Sequence, residues 1–255
     1  MQTDWTPLRQ ELARCRAAGV PLPVWWRDDD AVTHTPALDR LCGLSEDLGL
    51  AVHIAVIPEP ADQTLAAAVS AHSCLVPLVH GWQHINHSCE GQKKAEFGRV
   101  RASAAGELDA GLKRLKHLFG SRLLPVFVPP WNRLDPGFCN DLAHLGYAGV
   151  STFLPRVSRC AAPGLMQVNT HIDPISWHGG RGLVLPETLV KLTVQTLTDR
   201  RAGKTDPAEP LGLLTHHLVH DEEVWQFSGR WVREMLDGGA EPSSPLQQES
   251  PDEQA

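Results

Sequence analysis

His80 and His84 lie four residues apart in the run His80-Gly81-Trp82-Gln83-His84, directly after an apolar stretch. On a helical turn that spacing puts both imidazoles on one face, where they can share a divalent metal. One carboxylate from elsewhere would complete a two-histidine, one-carboxylate site with open positions for water. The zinc-protease pattern is excluded, because it needs Glu directly after the first His and Gly81 stands there. The carboxylate candidates are Asp28, Asp29 and Asp30, three adjacent acids at the end of another apolar run. Such neighbours repel one another, and without a cation or hydrogen-bond donors at least one is driven toward protonation. A metal removes the conflict: one Asp ligates, a second accepts a proton from water, and the third faces solvent or pairs with Arg27.

Two more runs carry usable chemistry. His216 and His217 follow Leu211-Gly212-Leu213-Leu214-Thr215. Adjacent side chains of an extended segment point to opposite sides, so one of the two faces the site and can protonate a leaving amine as a general acid. Asp173 or Asp221 would orient that ring, as carboxylates do for catalytic imidazoles. Pro129-Pro130-Trp131 reads as a stiff turn whose Trp131 N–H can donate to a developing oxyanion. Trp82, Arg133, Trp177 and His217 are the candidate substrate contacts.

The elements that must position these groups alternate between strand-like and helical patterns. Apolar, strand-length runs occur at 22–26, 51–57, 75–79, 126–128, 147–151, 164–168 and 211–214. Between them lie helical patterns after Thr35-Pro36, through Leu108, Leu112, Leu115 and Leu118, and over 185–197. That order predicts repeated βα units and a largely parallel α/β sheet or barrel, with the polar runs at the C-terminal strand ends where such folds build their sites. Residues 1–237 read as one domain. Residues 238–255, nearly devoid of large apolar side chains, read as a disordered tail.

Composition narrows the function classes. With 23 Lys+Arg against 30 Asp+Glu the net charge is −7, and no basic cluster suits a nucleic acid. No apolar run reaches the roughly 18 residues of a membrane span. The N-terminus lacks the basic and apolar regions of a signal peptide, so a cytoplasmic location is expected. The six cysteines show no Cys-x-x-Cys spacing, so neither a disulfide framework nor a cysteine zinc site is expected. Of the thirteen histidines, His53, His72, His117 and His144 read as structural.

Taken in order, Asp28-Asp29-Asp30, His80/His84, Phe127-Val128-Pro129-Pro130-Trp131, Asp173-Pro174-Ile175-Ser176-Trp177 and Leu214-Thr215-His216 resemble the five motifs of the polysaccharide deacetylases, the NodB-like carbohydrate esterases. The resemblance spans about residues 24 to 227. It implies a distorted (β/α) barrel and a hydrolase that removes an acetyl or other acyl group from an N-acetylated sugar or related amide. It also implies a divalent metal, Zn2+, held by His80, His84 and one Asp, with the neighbouring Asp as base. An Arg-x-Asp-Asp alignment makes Asp29 the base and Asp30 the ligand. Alignment on Thr35-Pro36 shifts the pair to Asp28 and Asp29. The first is preferred. The same resemblance makes His216 the general acid and the Trp131 amide the oxyanion donor. The chain departs from the pattern twice. Val128 stands where the family has the third-motif Arg, for which Arg27 and Arg133 are the candidate replacements, and Ser176 stands where a second Asp is common. Two alternatives stay open: a metal- or carbohydrate-binding relative without turnover, and an amidohydrolase acting on a small non-sugar amide.

Overall fold

The computed structural model describes residues 3–178 and 180–246. Among these, the helices are α1 (Thr6–Ala17), α2 (Pro36–Leu48), α3 (Gln63–Ala71), α4 (Ala104–Phe119), α5 (Phe138–Leu145), α6 (Pro186–Arg201) and α7 (Glu222–Asp237). The strands are β1 (Pro23–Ala31), β2 (Val52–Val56), β3 (Leu75–His80), β4 (Val126–Val128), β5 (Gly149–Val150), β6 (Cys160–Ala162), β7 (Leu165–Gln167), β8 (Leu211–Thr215) and β9 (Glu241–Pro242). Local chemistry sets many boundaries. Before α2, Thr35 is extended and accepts from the Leu38 N–H. Pro36 takes the first turn, and Gly49 ends the helix in the left-handed region.

The strands form one sheet in the order β6-β7-β5-β4-β3-β2-β1-β8, parallel except for β6 on β7, with β9 paired to the start of β1. The sheet curls into a half-barrel. Single bridges, Phe153 to Thr170 and Ile172 to Leu213, carry the chain after β7 across to β8 where a full strand would otherwise stand. Side-chain alternation divides the core. Val24, Trp26, Val52, Ile54 and Val56 pack outward under the helices, whereas Trp25, Ala55, Leu78, Val126, Val128 and Val168 fill the concave side. No helix among the described residues is long and apolar enough to cross a membrane.

Two differences from the sequence reading matter. β1 runs on through Arg27, Asp28, Asp29 and Asp30, so the acids lie within the strand and not after it. Residues 238–246, expected as tail, instead add β9: the Glu241 and Ser243 N–H groups donate to Leu22 and Val24 carbonyls at 2.9 and 2.8 Å. Leu246 packs on the inner core. Backbone hydrogen bonds hold this segment, which is why its poverty in apolar residues was misleading. The rest of the expected tail, 247–255, lies outside the described residues.

Candidate active site

β1 sends its three consecutive acids to three places. Asp28 points outward with Trp26 and is fully buried. Its Oδ2 accepts from the Thr215 hydroxyl at 2.7 Å and the His217 N–H at 2.9 Å, and its Oδ1 lies 2.5 Å from His217 Nδ1. Asp29 points inward beside the fully buried Arg27, whose Nε is 2.9 Å from Asp29 Oδ1 and whose Nη2 donates to Oδ2 at 3.1 Å. Strict alternation would turn Asp30 away from Asp29. The register between β1 and β2 slips between Asp29 and Ala31, however, and Asp30 has φ of 76°. This bulge lets two adjacent carboxylates serve one site.

His80 ends β3, and its Nδ1 lies 2.9 Å from the Val128 carbonyl. That contact makes Nδ1 the donor and leaves Nε2 free as a ligand. The chain then turns sharply and forms no helix over 81–84, so a loop turn and not helical spacing brings the two imidazoles together. Gly81 (φ 60°) opens the turn, where a Cβ would collide with Glu96 and Pro130, and His84 (φ 60°) closes it. The buried Glu96 carboxylate fixes the turn by accepting from the N–H groups of Trp82, Gln83 and Ile85 at 3.0, 2.8 and 3.4 Å. His84 Nε2 and His80 Nε2 thereby come within 3.4 and 3.2 Å of the same Asp30 oxygen. Burial opposes charge on all three groups. For Asp30 the neighbouring His80 overrides it and holds the carboxyl well below its usual range. Asp29 and Asp30 raise His80, while burial and the nearby His80 lower His84.

The turn after β4 supplies the opposite wall. Trp131 and Asn132 both have φ of 57°, and the Trp131 ring lies 4.3 Å from the His84 ring, centre to centre. Asn132 Oδ1 accepts from Arg27 Nη2 at 2.6 Å, and Ser151 Oγ accepts from Arg27 Nη1 at 2.7 Å. Left-handed backbone at Asp30, His84, Trp131 and Asn132 concentrates strain around one spot, as functional sites do. Arg133 points elsewhere, donating to the Lys94 carbonyl at 2.7 Å. Arg27, on β1, is therefore the arginine that pairs with Asp29, and Arg133 is not.

Beyond β8 the two histidines separate. His217 has no exposed side-chain surface and is locked on Asp28, so it is not free to touch substrate. His216 packs edge-on against Trp177 at 4.7 Å. Trp177 Nε1 donates to Asp173 Oδ2 at 2.8 Å, and burial raises the Asp173 carboxyl although His216 works against the rise. Asp221 instead caps α7, accepting from the Val224 N–H at 2.8 Å. His220 Nε2 accepts from the His216 N–H at 3.2 Å. Of the expected substrate contacts, Trp177 is exposed while Trp82 packs partly against the main core.

Asp30, His80 and His84 present one oxygen and two nitrogens, all within 4.8 Å of one another. Ligands about 2.0–2.2 Å from a shared centre are separated by such distances, so the donor set fits a divalent cation. No family model and no curated protein matches the sequence. Solved structures do match. A family 4 carbohydrate esterase from Streptococcus mutans superposes with TM-score 0.56 at 12% identity, covering 91% of this chain and 89% of that one. A family 4 carbohydrate esterase from Streptomyces lividans, in complex with acetate, gives 0.53 at 13% identity over 88% and 94%. A pseudoenzyme of the same family from Bacillus anthracis gives 0.52 at 10% identity over 87% and 63%. The fold is that of the polysaccharide deacetylases. Within that deacetylase fold, sequence reasoning missed Glu96, a single acid in a polar loop with no motif to flag it. It also missed Asn132 and Ser151, which hold Arg27 in place.

Proposed function

We propose that the chain is a metal-dependent hydrolase that removes an acetyl group from the amide of an N-acetylated sugar. The observation that carries this reading is the convergence of Asp30, His80 and His84 beside a separate carboxylate, Asp29, paired with a buried arginine. Asp30, His80 and His84 hold the cation, and Zn2+ suits the donor set. When bound, the ion acts as a Lewis acid and lowers the pKa of water toward about 7. Asp29 is the base: Arg27 fixes the direction of its carboxylate, which accepts the proton of the attacking water. The Trp131 amide, carried by a stiff left-handed turn, donates to the oxyanion. His216 delivers a proton to the departing amine, steadied by Trp177 and by the Asp173 carboxylate behind it.

A groove of about 600 Å3 is lined by Gln92, Arg133 and Gln167 and equally by Leu134, Pro136 and Val150, and its link to the site is Asn132, the residue that holds Arg27. The pseudoenzyme neighbour makes binding without turnover the second reading, but the arginine on Asp29 favours catalysis. Metal content of the purified protein and acetate release from N-acetylated sugars and small amides test the proposal. One bound cation at this centre and acetate release are expected, both abolished in His80→Ala. A wild-type chain that retains no metal here after exposure to Zn2+, or that releases no acetate from any substrate when loaded, would overturn it.

A further inference from the structure

The opposite end of the sheet, at the N-terminal ends of the strands, holds a second set of metal-binding side chains. Cys42 and Glu46 are one turn apart on α2. His72 ends α3, and Cys74 directly precedes β3. The Cys42 and Cys74 sulfurs lie 3.0 Å apart, and Glu46 Oε1 is 3.6 Å from the first and 3.7 Å from the second. His72 Nδ1 is 3.1 Å from the same carboxylate oxygen. All four donor atoms lie within 4.8 Å of one another.

The backbone carrying them is fixed independently of any ion. Arg122 Nη2 donates to the His72, Ser73 and Leu75 carbonyls at 3.1, 3.4 and 2.8 Å, clamping the segment that bears His72 and Cys74. The Cys74 carbonyl accepts from the Val52 N–H at 2.9 Å, tying the same segment to β2. Cys42 is buried, whereas Glu46 is exposed, so an ion could enter from solvent on the carboxylate side. Two sulfurs, one imidazole nitrogen and one carboxylate oxygen form a complete tetrahedral set for Zn2+. They leave no open position, as in structural and not catalytic zinc sites.

We propose that Cys42, Glu46, His72 and Cys74 form a structural Zn2+ site that staples α2 to the segment between α3 and β3. Binding Zn2+ converts two thiols to thiolates and releases their protons to solvent. The site differs from the sequence expectation, in which the cysteines hold no zinc and His72 is structural. Its halves, Cys42/Glu46 and His72/Cys74, are too far apart in the chain to form a recognisable spacing.

Co2+ titration of the full chain, stripped of metal and held under reductant, tests the proposal. Two equivalents should bind, one of them producing a thiolate-to-cobalt charge-transfer band and tetrahedral d–d bands that Zn2+ then bleaches. His80→Ala/His84→Ala should keep those bands while losing the other equivalent, which separates this site from the proposed reaction. Zn2+ should also raise the Tm of that variant, and Cys42→Ser/Cys74→Ser should lose both the bands and the rise. Absence of a thiolate band while both thiols react freely with a thiol reagent would overturn the assignment. So would a Cys42–Cys74 disulfide that, once reduced, takes up no metal.

Discussion

Two aspartate–histidine groupings share β1 and are used differently. Asp28 and His217 are sealed. The carboxylate is saturated by Thr215 and by both donors of His217, and neither side chain reaches solvent. Asp30, His80 and His84 converge with one oxygen and two nitrogens within 4.8 Å of one another, and His84 and Asp30 stay partly exposed. The residue types are the same, so chemistry alone does not separate them. Saturation does: a carboxylate whose oxygens are filled by protein donors fastens β1 to the end of β8, whereas one left open is available to an ion.

Asp28→Ala tests that difference most severely. It strips the His217 ring, the His217 amide and the Thr215 hydroxyl of their shared acceptor inside the protein, and breaking a buried pair in this way costs about 3–5 kcal/mol. Asp30→Ala should instead abolish metal binding while leaving the metal-free protein much closer to wild-type stability. Urea unfolding in chelator, with metal titration of both variants, checks the pair. An Asp28→Ala protein of wild-type stability that has lost its metal would show that the two groupings are not separate.

His53 sharpens the contrast, because it is a buried imidazole with no carboxylate at all. Its Nδ1 lies 3.1 Å from the Trp26 carbonyl, and burial pushes its pKa from 6.5 down to about 4. Below pH 6.5 the unfolded chain binds a proton that the folded chain refuses. Stability therefore falls as the pH drops from about 6.5 to about 4, by on the order of 3 kcal/mol, and levels off below. His53→Gln keeps a donor for Trp26 without the titration, so its stability should fall less over that window. Unfolding curves for the two proteins that run parallel from about pH 7 to pH 4 would contradict this account.

How far the sequence reaches can be judged from the same residues. The runs at 75–79, 126–128 and 211–214 coincide with β3, β4 and β8, and the Thr35-Pro36 start and Gly49 stop coincide with the ends of α2, because apolar periodicity and capping are local signals. β6 and β9 escaped, being two or three residues long and carrying no large apolar side chains. Alternation along an extended chain anticipates the parting of His216 from His217. It cannot anticipate the bulge at Asp30, which depends on register with β2. Arg27 could be nominated as the partner of Asp29 but not chosen over Arg133, since Ser151 and Asn132 become its neighbours only once the sheet curls. Contacts of this length in sequence, like that joining Cys42 to Cys74, leave no spacing to read.

The smallest expected effect probes how the open grouping is kept open. His84 is not placed by a helix, so its position depends on the turn that Glu96 organises through three backbone N–H groups. Glu96→Gln keeps the size of the side chain but presents one NH2 toward donors that need an acceptor, and it exchanges charge-assisted hydrogen bonds for neutral ones. The turn should loosen while His80, held separately by the Val128 carbonyl, stays where it is. Metal affinity should then fall about tenfold to a hundredfold, the usual range for losing a group that orients a ligand. The Asp28–His217 pair, on the outer side of β1, should not register the change. Calorimetric titration with Zn2+, with the thiol site first filled or removed by Cys42→Ser/Cys74→Ser, reads the affinity of this centre alone. Unchanged affinity in Glu96→Gln would mean that His84 is positioned by its contact with Trp131 and not by the turn, and that the opening of this grouping is built from the aromatic wall.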